Sequence, residues 1–293
     1  MHLTLQSGWR LLHQTVSTWL DNYGPSMGAA LAYYTLFSLA PLMLIVVSVG
    51  GLVFGAEAAR GEIALQLVSL MGSAGARAVQ DLLASVRQPA EGSLATGIGL
   101  TLLFLGSTSV FAELQNAFDR IWHAPASWRG GTWLTLLRTR LLSFGMVLAI
   151  GFLLMVSLVF SAALALMGHW VEPVFGAWLA LATFSNTVAA FALLTAMFAL
   201  IYKVMPRVRV QWRDVWTGAL FTAMLFSFGR FLIGLYIGRS GVVSGFGAAG
   251  SLVVILLWVY YSAQIFLLGA QFTWVYANSY GSRKPVPDYA HTA

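Results

Sequence analysis

Six stretches of this chain are apolar and nearly free of charge over the length of a membrane-spanning helix, which needs about 20 residues to cross a bilayer. They are Gly28–Gly55, Gly92–Ala112, Leu141–Trp170, Phe175–Tyr202, Val215–Ile237 and Gly247–Asn278, the last within the charge-free run Ser240–Ser282. Each is continuously apolar, whereas a strand of a membrane barrel alternates between apolar and polar residues. The sequence therefore predicts an all-α polytopic membrane protein, a bundle of six transmembrane helices with amphipathic helices at the membrane interface.

The amino-acid composition agrees with a membrane location. Hydrophobic residues make up 59% of the 293 residues and charged residues only 9%, whereas about a quarter of the residues of an ordinary globular chain are charged. A soluble protein of this length could not shield so much apolar surface from water. The chain has no cysteine, which excludes disulfides, thiolate chemistry and cysteine-ligated zinc.

The positions of lysine and arginine predict how the spans are oriented, because these residues concentrate on the cytoplasmic side of a membrane. One side holds Arg10, Arg120, Arg129, Arg138, Arg140, Lys203, Arg207, Arg209, Arg213, Arg283 and Lys284, and the other holds Arg60, Arg77, Arg87 and Arg239. Both termini are therefore expected in the cytoplasm. This asymmetry accounts for the net charge of +6 without a nucleic-acid partner, although an RNA-binding surface is the alternative.

The pattern divides the chain into an N-terminal cytoplasmic helix in residues 1–27, a transmembrane domain in residues 28–280 and a tail in residues 281–293 that is expected to be disordered. The N-terminal helix should lie along the membrane surface. Its apolar residues at helical spacing are Trp9, Leu12, Val16, Trp19, Leu20 and Tyr23. The outer segment 56–91 repeats the pattern at Val79, Leu82, Leu83 and Val86. It is either a lid on the bundle or a surface for a protein partner.

Polar residues in the first span leave two interpretations open. Tyr34, Ser38 and Pro41 fall within about a 60° arc of a helix, so two hydroxyl groups and a proline share one face. Proline leaves a carbonyl of its helix without a donor, which favours a face turned toward protein or water. The alternative is that the tyrosine anchors the helix at the interface and the proline is a packing kink.

The fifth and sixth spans carry further polar groups. Tyr260, Gln264, Gln271 and Asn278 lie within about a 40° arc of the sixth span. Amide groups that faced lipid would be costly, so these residues either bond to neighbouring helices or line a polar path. Arg230, the one ionised residue deep in a predicted span, either snorkels to the outer headgroups or binds an anion such as a lipid phosphate.

Sequence motifs of enzymes are absent. The five histidines are scattered without H-x-H or H-E-x-x-H spacing, and no G-x-S-x-G or Walker sequence occurs. We therefore expect no catalytic residues, no metal and no other cofactor. Glu113 and Asp119, near the inner end of the second span, are candidates for a cation or proton site, but a capping role or a salt bridge with Arg120 is the simpler interpretation.

Four blocks of the sequence, in this order, resemble the YihY/BrkB family of bacterial inner-membrane proteins. They are ALAYYTLFSLAPLMLIVVSVGGLVFG, VFAELQNAFDRIW, YKVMPRVRVQWRDVWTGALFTAMLF and GAAGSLVVILLWVYYSAQIFLLGAQFT. The resemblance implies a six-helix protein of the bacterial inner membrane. Three residues depart from the family pattern: Gln271 stands where a glutamate is common, Asp119 where an asparagine is usual, and Arg207 where an acidic residue is frequent. The missing carboxylate at position 271 weakens any proton-coupled mechanism that would use it.

The resemblance also bears on function. Members of the family have carried a ribonuclease label, widely regarded as a misassignment, and a virulence or serum-resistance label, and lipid or lipopolysaccharide transport has been suggested for relatives. We expect a transport-related protein that handles a lipid or another amphipathic anionic envelope component, with membrane lipids as partners and an envelope protein or a second copy of the chain as further candidates. The residues expected to line its path are Tyr34, Ser38, Pro41, Arg230, Tyr260, Gln264 and Gln271. A non-transporting envelope scaffold is the alternative, and a ribonuclease is the least favoured interpretation.

Overall fold

The structure is a computed structural model that describes residues 5–54, 61, 64, 67–68, 73, 75–81, 109–125, 178–239, 245–246 and 249–283. The helices are α1 (Leu5–Asp21), α2 (Gly24–Phe54), α3 (109–121), α4 (Trp178–Val204), α5 (Trp212–Arg239) and α6 (Gly250–Ser279). A further helical segment covers residues 75–81. Within the described ranges all regular structure is helical, which confirms the predicted class.

Three helices in the described part of the chain are long and apolar enough to cross a membrane, at Thr187–Val204, Trp212–Ile237 and Gly250–Ser279. They overlap the fourth, fifth and sixth predicted spans. The 31-residue helix α2 covers nearly all of the first. The third predicted span and most of the second lie outside the described residues, so the count of six stays a prediction.

The chain forms two compact units. The first unit contains Met1–Thr15, Phe118–Met224 and Gly269–Ala293, and the second contains Val16–Ala117 and Leu225–Leu268. Helices α5 and α6 each contribute residues to both units. The predicted division into residues 1–27, 28–280 and 281–293 stays a prediction, and the tail beyond Arg283 lies outside the described residues.

In the first unit, α5 and α6 run antiparallel and approach closely through two glycine–threonine pairs. A Cβ atom on Gly218 would overlap Oγ1 of Thr273, and a Cβ atom on Gly269 would overlap Oγ1 of Thr222. Each threonine follows the glycine of its own helix by one turn and donates its hydroxyl to that glycine's carbonyl oxygen, at 2.7 Å in α5 and 2.8 Å in α6. The same small-residue motif therefore occurs in both helices, and the glycine of each helix contacts the threonine of the other.

In the second unit, part of the outer segment packs against the ends of α5 and α6. This apolar cluster consists of Leu67, Ala76, Ala78, Val79, Ile233, Ile237, Val254 and Ile255. Val79, the first residue of the stripe predicted in this segment, is fully buried, whereas Leu82, Leu83 and Val86 lie outside the described residues. The described part of the segment therefore packs against other helices, and the choice between a lid and a partner surface stays a prediction.

Helix α1 has two apolar faces. On one face, Leu11 packs against Phe272 and Val275 of α6 in the first unit. The other face holds predicted stripe residues that are exposed, among them Trp9 and Leu20. The predicted helix is thus confirmed, and its location along a membrane surface stays a prediction.

Candidate functional site

Arg230 lies on the exposed surface of α5, inside the apolar span Trp212–Ile237. The neighbouring side chains of Phe228 and Phe231 are 63% and 67% exposed. No other ionised residue occurs in α5 between Asp214 and Arg239, and a rise of 1.5 Å per residue puts Arg230 about 13 Å before the end of the helix. The Arg230 guanidinium group therefore lies on an exposed surface that is otherwise apolar.

The surface next to Arg230 is open on one side. Gly234 follows Arg230 by one helical turn and so lies on nearly the same face. A Cβ atom on this glycine would meet no other atom within 4 Å. One helical turn beyond Arg230, the surface of α5 thus has room for an added group at Gly234.

Gln264 connects α6 to the start of α2 within the second unit. Its side chain is half-buried, and its Nε2 donates a hydrogen bond to the carbonyl oxygen of Pro25 at 3.2 Å. A Cβ atom on Gly28 would overlap this amide. Its Oε1 atom is buried and accepts no hydrogen bond from the residues that the structure describes. The amide nitrogen of Gln264 therefore bonds α6 to α2, and its amide oxygen could accept a further hydrogen bond.

The two residues whose hydroxyl groups were predicted to share a face of α2, Tyr34 and Ser38, have different environments. Ser38 is buried and donates its hydroxyl to the carbonyl oxygen of Thr35 at 3.1 Å, within the same helix. Tyr34 is half-buried, and its ring meets that of Tyr33 edge to face at 5.6 Å. The side chain of Pro41 lies outside the described residues. The hydroxyl of Ser38 is thus satisfied without a ligand.

The polar residues of the sixth span occupy different environments. Tyr260 is 36% exposed, whereas Gln271 is fully buried in the first unit. Asn278 is half-buried and donates its Nδ2 to the carbonyl oxygen of Trp274, one turn earlier in α6, at 2.8 Å. Although the sequence places these side chains on one face of the helix, they differ in how much of each is exposed.

Asp119 forms a salt bridge that links α3 to the connection between α4 and α5. Its Oδ2 lies 3.1 Å from Nη1 of Arg207, and the side chains are 3% and 23% exposed. Glu113, the other residue predicted for a cation or proton site, is half-buried. The described residues contain no group of three or more metal-ligating side chains. A guanidinium group, supplied from a distant part of the sequence, thus neutralises the Asp119 carboxylate.

Asp214 is a second buried carboxylate in the first unit. It lies in the first turn of α5 and has no exposed surface. Its Oδ2 accepts hydrogen bonds from the backbone nitrogen and the hydroxyl of Ser282, at 3.2 and 2.5 Å. A Cβ atom on Gly281 would overlap the carboxylate. The start of α5 is therefore held against the end of α6.

The connection between α4 and α5, residues 205–211, is fixed by two further cationic side chains. Lys203 donates to the carbonyl oxygen of Val210 at 2.5 Å, and its Nζ lies 5.3 Å from the ring centroid of Trp212. Arg283 donates to the carbonyl oxygen of Arg209 at 3.1 Å. Sequence reasoning missed these contacts, because nothing in the local pattern of a loop specifies a partner that is distant in sequence.

A buried hydroxyl pair was also missed. The hydroxyl groups of Tyr202 and Thr222 lie 3.0 Å apart, and neither side chain has appreciable exposure. The ring of Tyr202 packs near Phe118 and Phe198, at centroid distances of 6.0 and 6.3 Å. The G-x-x-x-T spacing at Gly218–Thr222, repeated in α6, was the available signal for close helix contact.

Together, the apolar spans and the few ionised groups confined to their ends or to one exposed surface define a multi-pass α-helical membrane protein. The chain belongs to the YihY/BrkB family, because the family model described as Virulence factor BrkB matches residues 15–291.

Similar curated proteins bear the name UPF0761 membrane protein. The protein of Pseudomonas paraeruginosa is 32% identical over 84% of this chain and 57% of its own length. That of Azotobacter vinelandii is 29% identical over 95% of this chain and 65% of its own length, and that of Xanthomonas campestris pv. campestris is 27% identical over 86% and 57%. The chain thus spans less than two thirds of the length of these relatives. No solved structure matches it.

Proposed function

We propose that this protein binds an anionic lipid, or another amphipathic anionic component of the envelope, at Arg230 and takes part in its movement within or across the membrane. The observation that carries the proposal is the exposure of Arg230 on the apolar surface of α5. A positive side chain at the centre of a spanning helix costs about 2.5 to 3.5 kcal/mol in membrane insertion, and one at the depth of Arg230, nearer the end of the helix, costs part of this. A bound phosphate group offsets this cost, because the guanidinium offers two parallel donors to phosphate oxygens.

The surroundings of Arg230 suit an amphipathic ligand. The exposed rings of Phe228 and Phe231 provide contact for acyl chains, and the open space at Gly234 admits a headgroup. Tyr260 and Gln264 belong to the same compact unit and remain candidates for contact with polar parts of the substrate. For the buried Ser38 and Gln271, a packing role is the better assignment.

Reconstitution in liposomes tests this proposal. The full chain should bind and flip a labelled anionic phospholipid more than a zwitterionic one, above the level of empty vesicles. Arg230→Ala should lower binding at least about 10-fold, since a hydrogen bond to a charged group contributes about 1.5 to 3 kcal/mol. Arg230→Lys should retain part of it. The control is Arg239→Ala, which removes an exposed arginine from the end of the same helix.

Two results would reject the proposal. One is binding and flipping no greater than in protein-free vesicles. The other is an Arg230→Ala variant that binds and flips the anionic lipid as well as the wild type does, while the control Arg239→Ala binds and flips it less.

The proposal includes an inner-membrane location with both termini in the cytoplasm, on the basis of the lysine and arginine distribution. The cysteine-free sequence makes this simple to test by labelling single cysteines with a membrane-impermeant reagent. Gln80→Cys in the outer segment should react in intact spheroplasts, and Gln6→Cys in α1 should react only after lysis. Labelling of both residues in intact cells would contradict the proposed orientation.

A further inference from the structure

The start of α5 presents two arginine side chains that no described residue of the first unit neutralises. Arg209 lies in the connection before α5, and Arg213 is the second residue of the helix. Both are exposed. Among the residues that the structure describes, neither guanidinium group has an ion-pair partner. Two positive charges are therefore available to a ligand.

The carboxylates that the structure describes in the same unit are not available to these arginines. Its described residues include only two, Asp119 and Asp214, whose exposed fractions are 2% and 0%. Asp119 is paired with Arg207, and Asp214 accepts hydrogen bonds from Ser282. The described surface at this end of the unit is therefore positively charged, and an anionic partner complements it.

The backbone that carries Arg209 and Arg213 is held in place before any ligand binds. Arg283 donates to the carbonyl oxygen of Arg209 at 3.1 Å, and Lys203 donates to that of Val210 at 2.5 Å. These two bonds hold the backbone at Arg209 and Val210, and the backbone of Arg213 is held by helix α5. A preorganised loop loses less conformational entropy when it binds a ligand.

Exposed tryptophans identify the kind of anion. Trp212 and Trp216, one turn apart at the start of α5, are 49% and 47% exposed. The apolar span begins at Trp212, and indole rings at the end of a spanning helix favour the level of the lipid headgroups. An anion at this height, beside apolar surface, is a lipid headgroup rather than a soluble polyanion such as RNA.

We propose that Arg209 and Arg213, flanked by Trp212 and Trp216, bind the phosphate headgroup of an anionic phospholipid at the start of α5. This site is separate from Arg230 and does not depend on the function proposed above. Each arginine near a charged membrane surface contributes about 1 kcal/mol to attraction for anionic lipid. Loss of both corresponds to about a 30-fold decrease in affinity.

Native mass spectrometry of the detergent-purified full chain tests the proposal, with phosphatidylglycerol and phosphatidylcholine as probes. The wild type should bind phosphatidylglycerol more tightly. The double variant Arg209→Gln/Arg213→Gln should lose about 30-fold in affinity for this lipid while keeping its affinity for phosphatidylcholine. The charge-matched control Arg77→Gln/Arg239→Gln, which neutralises two exposed arginines elsewhere, should behave like the wild type, and Arg230→Ala should leave this site unchanged.

Three outcomes would overturn the proposal. They are equal wild-type affinities for the two lipids, an equal loss in the control variant, and complete displacement of phosphatidylglycerol by inorganic phosphate, which would indicate a site for a free anion. If the double variant does not fold, the proposal is tested by measuring how the affinity of the wild type for phosphatidylglycerol depends on salt. Affinity for phosphatidylglycerol should fall as ionic strength rises, and a salt-independent affinity refutes the role of the arginines.

Discussion

Replacement of Gly269 by alanine is expected to destabilise the contact between α5 and α6. The added Cβ would overlap Oγ1 of Thr222 and lie 2.9 Å from its Cβ and 2.6 Å from the hydroxyl of Tyr202. Real Cβ atoms almost never approach other atoms so closely. Because Thr222 is branched and fully buried, it cannot swing aside, so the helices must separate or the hydroxyl pair must break.

The expected cost follows from these contacts. Overpacking a close contact costs about 1 to 3 kcal/mol, and loss of the Tyr202–Thr222 hydrogen bond, 3.0 Å long, adds about 1 kcal/mol. The sum is about 2 to 4 kcal/mol. An alanine also favours a helix over a glycine by about 1 kcal/mol, so a matched control is needed.

Gly234→Ala provides that control. Gly234 also lies within a long apolar helix, but its Cβ would meet nothing within 4 Å. Unfolding in mixed detergent–SDS micelles gives the free energy of unfolding for both variants. The Gly269→Ala variant should be less stable than Gly234→Ala by about 2 to 4 kcal/mol, since the helix-propensity gain is common to both.

Equal stabilities of the two variants would refute this account of the helix contact. A second check is the double variant Gly269→Ala/Thr222→Ala, in which the smaller side chain makes room for the new methyl group. The two substitutions should couple favourably by about 0.5 to 3 kcal/mol. Strict additivity would mean that the glycine and the threonine do not share the contact.

Two further predictions concern the buried carboxylates of the first unit. Arg207→Gln should lower the free energy of unfolding by about 3 kcal/mol, because it leaves the Asp119 carboxylate buried and unpaired, whereas Asp119→Asn should cost less, since Arg207 is partly exposed. Thermal unfolding of both variants measures the difference, and the reverse order would contradict it. Ser282→Ala should cost about 1 to 3 kcal/mol through the donor lost to Asp214, and Ser282→Thr, which keeps the hydroxyl, should cost less.

Much of the helical architecture could be predicted from apolar run length alone. The fifth span, predicted at Val215–Ile237, corresponds to α5 at Trp212–Arg239, and the sixth, predicted at Gly247–Asn278, corresponds to α6 at Gly250–Ser279. Helix ends shifted by a few residues because hydropathy does not register the polar first and last turns. The amphipathic period of residues 1–27 likewise predicted α1.

Side-chain environments were much harder to predict. Periodicity assigned Gln264 and Gln271 to one face, but burial depends on what packs against that face at each level, and the two residues differ in exposure. The predicted salt-bridge partner of Asp119 was the adjacent Arg120, whereas the structure pairs Asp119 with Arg207, which lies far away in sequence. Asp119 and Arg207, two of the three residues at which the resemblance implied a departure from the family pattern, thus form one ion pair.

The bond between Asp214 and Ser282 has a consequence for biosynthesis. The two residues are 68 positions apart, so α5 is made and inserted long before the hydroxyl that its carboxylate requires has left the ribosome. Until then, the Asp214 carboxylate lacks both of the donors that Ser282 supplies in the folded chain. The contact that holds the start of α5 can therefore form only after α6 and Ser282 have been synthesised.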